Sequence, residues 1–108
     1  MLNECRLLMV QSQHQDVVGL LFIYTENQDA HIGYLLAEQY WGRGLAFELL
    51  QGFINLASTQ SHWHKLIAGV DESNTPSIKL LKKLAFEEQA SKENGMLFFE
   101  FNLNQGTQ

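Results

Sequence analysis

The spacing of apolar residues along this chain changes part-way through. Up to residue 37 they come in short, dense runs. "CRLLMVQ" (5–11), "DVVGLLFIYTE" (16–26) and "HIGYLLA" (31–37) are separated by the polar stretches "QSQHQ" and "NQD". That pattern predicts three strands joined by short connections, an antiparallel meander. From Leu45 the period becomes helical, with Ala46, Leu49, Leu50, Phe53 and Ala57 on one face of a helix of about four turns, ended by polar "STQSH". "KLIAGVD" (65–71) reads as a buried strand. A second helix follows, with Pro76 in its first turn, Asn74 or Thr75 as its cap, and Ile78, Leu81 and Leu84 or Ala85 on its apolar face. The stretch "EEQASKENGMLFFEFNLN" divides into two strands about Asn94-Gly95, a favoured hairpin turn, and "NQGTQ" reads as a frayed tail. The order β-β-β-α-β-α-β-β predicts an α+β (mixed α/β) architecture of one sheet and two main helices, with residues 1–108 forming one domain.

Composition bounds what such a domain does. With 108 residues, 45% of them hydrophobic and 18% charged, the chain has material for a small core rather than for disorder. Its net charge of −5 argues against a nucleic-acid or anionic-membrane partner, which needs clustered Lys and Arg. Cys5 is the single cysteine, so no internal disulfide and no thiolate metal cluster can form; the expectation is a small buried hydrophobe in a reducing, cytoplasmic setting. No run approaches the ~20 apolar residues of a membrane span, and the first residues lack the pattern of a signal peptide.

The candidate chemistry lies in "EQYWGRGLAFELL" (38–50). Gly42 and Gly44 fall between a strand and a helix. A helix N-terminus carries unpaired N–H groups and a partial positive charge, and glycines let an anion approach closely. Together they make a phosphate cradle. The alternative is a strand-to-helix turn in which glycine only supplies an unusual φ. A Walker loop is excluded, since no Lys-Ser or Lys-Thr follows the glycines. A dinucleotide loop fits poorly, because Phe47 stands where a third glycine belongs and His64 and Lys65 where an acid would lie. The spacing is Gln39-x-x-Gly42-x-Gly44.

The stretch "IGYLLAEQYWGRGLAFELL" resembles motif A of the GNAT acetyltransferase superfamily, whose Gln/Arg-x-x-Gly-x-Gly/Ala loop binds the pyrophosphate of coenzyme A. "VDESNTPSIKLLKKLAFEE" is similar to the strand and helix that follow it there, and the likeness, covering about residues 31–88, is nearest to the RimJ/RimL-like branch. The resemblance implies a sheet splayed at a cofactor cleft between "HIGYLLA" and "KLIAGVD". It implies that amides from Gly42 to Ala46, Leu45 included, wrap the pyrophosphate, with Arg43 adding charge at the rim. It implies that Leu36 meets the pantetheine arm and offers its backbone N–H to the thioester carbonyl, and that Asn74 contacts the same arm; unaided, Asn74 reads equally as a helix cap. The activity implied is direct transfer of an acetyl group from acetyl-CoA to a primary amine, a protein N-terminus or a small molecule, without a metal.

The sequence also departs from the family. Where many members carry a proton-donating tyrosine, this chain has Leu81, and Ser77 is the candidate substitute beside an ordinary structural serine. The usual Gly-Phe ending is Ala85-Phe86, which Ala suits if φ stays negative. His31, Tyr34 and Glu38 are the candidate general bases, each equally readable as a surface or core group. His62 and His64 lack a third metal ligand, and Trp41 and Trp63 read as packing or rim residues. The family begins with a strand and two helices that have no counterpart here, so an uncovered face and edge predict a homodimer. The competing reading is a non-catalytic CoA-binding module that has lost its acceptor site; a third is a purely structural domain.

Overall fold

The computed structural model describes residues 4–11, 14, 16–42, 44–60 and 62–103. Six strands form one sheet in the order β1-β2-β3-β4-β6-β5. They are β1 (Glu4–Gln11), β2 (Val17–Glu26), β3 (Asp29–Leu36), β4 (Lys65–Asp71), β5 (Glu87–Glu93) and β6 (Met96–Asn102). A single 3-10 turn, Glu38–Tyr40, leads from β3 towards helix α1 (Leu45–Gln60); helix α2 (Thr75–Lys83) follows β4. The predicted α+β order is thus present. Helix α1 carries the chain across one face of the sheet, so β4 lies parallel to β3, whereas every other neighbouring pair is antiparallel. No helix among the described residues is long and apolar enough to cross a membrane.

Alternation along the strands sends one set of side chains to an inner face. Leu21 and Ile23 of β2, Ala30 and Ile32 of β3, and Leu66, Ala68 and Val70 of β4 are buried there. They form one core with Leu50, Phe53, Ile54 and Ala57 of α1 and Leu81 and Leu84 of α2. Leu50 and Leu66 are fully enclosed, and burying a leucine side chain contributes about 1.5–3 kcal/mol. The helical period seen from Leu45 is therefore the period of a stripe that must meet a sheet.

Three expectations need correction. The turn between β2 and β3 is only Asn27–Gln28, both left-handed (φ 53° and 74°), so Asp29 and Ala30 already belong to β3. Without a glycine the two-residue turn left little signal; it is held by the His64 N–H donating to the Gln28 carbonyl at 2.7 Å. Cys5 is exposed rather than buried, because it faces outward on the edge strand β1, where no helix packs.

The third correction concerns Ala85, whose φ is +72°, not negative. The Phe86 N–H donates to the Leu81 carbonyl and the Ala85 N–H to that of Lys82, both at 3.0 Å. That pair of bonds is a Schellman ending for α2, which requires a left-handed residue at Ala85. Phe86 and Leu81, its hydrophobic partners, are both buried. The core contact outweighs the strain on an alanine Cβ, which is about 1–2 kcal/mol. Ala85→Gly is expected to stabilise the chain by about 1 kcal/mol, after allowing for the greater freedom of glycine when unfolded. Urea denaturation would measure it as a higher midpoint at unchanged slope.

Candidate functional site

The parallel pairing of β3 with β4 covers only Asp29 to Ile32 against Lys65 to Ala68. Beyond that both strands continue, but apart. β3 stays on β2 as far as Leu36 opposite Gly19, and β4 stays on β6 as far as Asp71 opposite Met96. The divergence opens a cleft of about 190 Å³, lined by Gly33 and Tyr34 on one side, Gly69 and Asp71 on the other, and Asn74, Ser77 and Leu81 of α2. The splayed sheet is as expected, and its cause is visible on both flanks. Gly19 is buried, and a Cβ on it would lie 2.5 Å from the Leu35 carbonyl oxygen, so its absence lets β2 hold β3 tightly. On the other flank, β6 holds β4 through its whole length.

Backbone polarity at the end of β3 follows from register. The Ala37 N–H donates to the Val18 carbonyl at 2.7 Å. Bonded and non-bonded pairs alternate in an antiparallel ladder, so the next pair, Leu36 and Gly19, is non-bonded. The N–H and C=O of Leu36 therefore point away from β2, towards the side from which β4 has withdrawn. The carbonyl is taken by the Trp41 indole N–H at 2.8 Å. The amide faces the opening.

Past the 3-10 turn, which contains exposed Glu38 and Gln39, the chain enters the glycine loop. Gly42 and Gly44 have φ of +76° and +74°, and a Cβ built on either meets nothing within 4 Å. Glycine is needed here for conformation, and the surrounding space is open. The Gly44 carbonyl accepts from the Glu48 N–H at 3.2 Å, which makes Gly44 the N-cap of α1, one without a side chain to cap the first-turn amides. Those of Leu45, Ala46 and Phe47 are left without intrahelical partners by geometry. Arg43 lies outside the described residues.

Asn74 caps α2, its Oδ1 accepting from the Ser77 N–H at 3.3 Å, and the residue lines the cleft. Ser77 Oγ and Tyr34 Oη share a hydrogen bond of 2.9 Å, tying β3 to α2 across the cleft floor. Two candidates separated by 43 residues are thus brought together. His31 is not: it points to the opposite face of β3, 5.9 Å from the Tyr24 ring and 3.5 Å from the Glu26 carboxylate. Trp63 packs 6.0 Å from Phe53 and donates to Thr25 Oγ1 at 3.1 Å. Among the described residues no group of three or more His, Cys, Asp or Glu is placed to hold a metal.

Sequence reasoning missed Asp71, the carboxylate on the cleft rim. Its Oδ1 accepts from the Ser73 hydroxyl at 2.5 Å and the Ser73 N–H at 2.9 Å. The hydroxyl first, and then the N–H, hold its pKa below the ordinary 3.8. The "DES" spacing is the available signal, since Asp commonly bonds the backbone two residues on.

The residues fit a known family. Residues 2–87 match the family model described as an acetyltransferase (GNAT) domain, and the chain belongs to that family. It is 36% identical over 87 residues, 78% of its length, to an uncharacterized N-acetyltransferase p20 of Bacillus licheniformis. Over 67 residues, 62% of its length, it is 30% identical to the [ribosomal protein uS5]-alanine N-acetyltransferase of Escherichia coli. It spans 49% and 34% of those relatives' own lengths. Among solved structures, the spermidine N-acetyltransferase of Vibrio cholerae in complex with CoA and spermine superposes with a TM-score of 0.82 at 18% identity, over 94% of this chain and 67% of that one.

Asp71 supports a prediction about pH. A carboxyl whose folded pKa is depressed contributes stability above its unfolded pKa, and that contribution is lost as pH falls through the folded value. Ser73→Ala is expected to move the Asp71 carboxyl titration up towards 3.8 and to flatten the acid limb of the stability curve, both readable by NMR titration and acid denaturation.

Proposed function

We propose that this chain binds acetyl-CoA in the β3/β4 cleft and transfers its acetyl group to a primary amine. The observation that carries the reading is the coincidence of two features. A parallel strand pair parts at Ile32–Ala68, and the strand that turns away leads straight into a helix start with two positive-φ glycines. The first supplies a slot for an extended arm; the second supplies amides for an anion.

The amides from Gly42 to Ala46 would hold the pyrophosphate, with Gln39 and Arg43 at the rim. The cleft is smaller than the ~300–1,000 Å³ of pockets that engulf a ligand. It suits the narrow pantetheine arm, while the nucleotide stays outside. Leu36 would pair with that arm as an added strand does, and Asn74 Nδ2 would donate to it. As an amine nitrogen attacks the thioester carbon, the carbonyl oxygen gains negative charge, which the Leu36 N–H is oriented to stabilise. The C–S bond then breaks, and Ser77, hydrogen-bonded to Tyr34, would supply the proton to the departing thiolate. A thiol of pKa near ~8.5 needs only modest help.

Asp71 is unsuited to remove the amine proton, since its Ser73 bonds favour the ionised form; its role would be to attract the cationic acceptor. Glu38 and His31 do not line the cleft, and proton removal is assigned to water at the mouth. Both the spermidine enzyme and the ribosomal-protein enzyme act on amines by name, which is compatible with either a small molecule or a protein N-terminus here. The competing reading, a CoA-binding module that does not catalyse transfer, rests on Leu81, which lines the cleft at the position where many members of the family carry a proton-donating tyrosine.

Acetyl-CoA at a hundred times its Kd is expected to stabilise the chain by about 2.7 kcal/mol, measured as a rise in Tm. Gly44→Glu should remove that rise. Ser77→Ala should lower kcat about tenfold, within the range of acid–base effects, with little change in KM for acetyl-CoA. A rise in Tm with no release of CoA thiol across an amine panel would leave the module reading standing.

A further inference from the structure

Two hydroxyls meet inside the cleft. Tyr34 reaches in from β3, where Leu21 stands opposite it on β2, and Ser77 from the first turn of α2. Both line the cleft and both are half-buried. Between them they carry two protons, and their 2.9 Å hydrogen bond uses one. Among the described residues neither oxygen has a further hydrogen-bond partner, so the second proton is left for whatever occupies the cleft. Acidity sets the direction of the bond. A phenol is the better donor and an aliphatic alcohol the better acceptor, so Tyr34 donates to Ser77 and the Ser77 proton is the one left over. Ser77 lies one turn before Leu81 on the same face of α2, and Leu81 has no proton to give.

We propose that Tyr34 is the source of the proton that Ser77 delivers, the two forming a relay across the cleft from β3 to α2; the inference rests on the acetyl-CoA reading. An aliphatic alcohol is a much weaker acid than a thiol, and a serine acting alone would be left as an alkoxide. A phenol lies far nearer to a thiol in acidity. As the C–S bond breaks, its electron pair stays on sulfur. The Ser77 proton moves to sulfur and the Tyr34 proton moves to Ser77 Oγ in the same step. Ser77 ends as it began, and the negative charge ends on the Tyr34 oxygen, which regains a proton from water at the cleft mouth. Tyr34 thus acts through Ser77, as a positioning residue that fixes where the serine proton points and then replaces it. Among the described residues that line the cleft, Asp71 is the one other that titrates. Its carboxylate opposes a nearby thiolate, equally in every variant that leaves it in place.

The test needs no acceptor. CoA is bound to the chain and its thiol is titrated by NMR of the carbon bonded to sulfur. Hydrogen bonding to a charged form favours that form, so the bound thiol pKa is expected to rise by about 1 unit in Ser77→Ala and by ~0.5 unit in Tyr34→Phe. The double variant should rise no further than Ser77→Ala, and the Tm rise with CoA should persist in all three. 3-Fluorotyrosine in place of Tyr34, a more acidic phenol of nearly the same shape, should lower the bound thiol pKa; a side chain that only ties β3 to α2 would leave it unmoved. Under turnover, Tyr34→Phe should lower kcat about tenfold with KM for acetyl-CoA unchanged. A bound thiol that titrates alike with tyrosine, phenylalanine and fluorotyrosine at position 34 overturns the relay and leaves the acetyl-CoA reading intact. A chain that does not bind CoA overturns both. Should Tyr34→Phe fail to fold, the fluorinated chain carries the test.

Discussion

Where β3 and β4 part, peptide groups that a continuous sheet would pair lose their partners. A buried or half-buried N–H or C=O left unmet costs ~1–3 kcal/mol, so a splayed sheet must supply substitutes. This chain supplies some from side chains. Trp41 donates to the Leu36 carbonyl, and the Tyr34–Ser77 bond holds the two walls at a fixed spacing through α2. Among the described residues it supplies no side-chain partner for the Leu36 amide or for the first-turn amides of α1. These donors lie along one line, from the cleft to the helix start, and under the proposed function the ligand that meets them would be extended at one end and anionic at the other.

Much of this line was legible in the sequence because it is made by local rules. The change of hydrophobic period at Leu45 fixed the helix, Asn74-x-Pro76 fixed the start of α2, and "KLIAGVD" coincides with β4. Gly42 and Gly44 stood out because glycine is rarely placed twice at a helix mouth without need of it. What escaped notice depends on tertiary context. Nothing in "LAFEE" says that Ala85 is left-handed; the demand comes from burying Phe86 against Leu81. Likewise the Tyr34–Ser77 contact joins residues whose proximity exists only once β3, α1 and β4 have closed their crossover. The exposure of Cys5 has the same origin: an apolar strand was visible, but which side a helix would cover was not.

The two faces of the sheet solve the hydrophobic problem differently, and that difference bears on chemistry. On the inner face α1 and α2 cover β2, β3 and β4 and, in doing so, set the floor of the cleft. On the outer face the same strands carry Leu7, Met9, Phe22 and Leu35 to solvent. A cleft made by parting strands and floored by α2 on the inner face has one mouth at the strand ends, rimmed by helix starts and polar groups, and another on the outer face, flanked on the β3 side by apolar side chains. Under the proposed function an acyl carrier held by the α1 amides would occupy the first. The acceptor would be left the second, and whatever covers the outer face would decide the width and polarity of its entry. Acceptor choice in this family member would then be governed less by the cleft residues than by the surface that closes over β1 to β3.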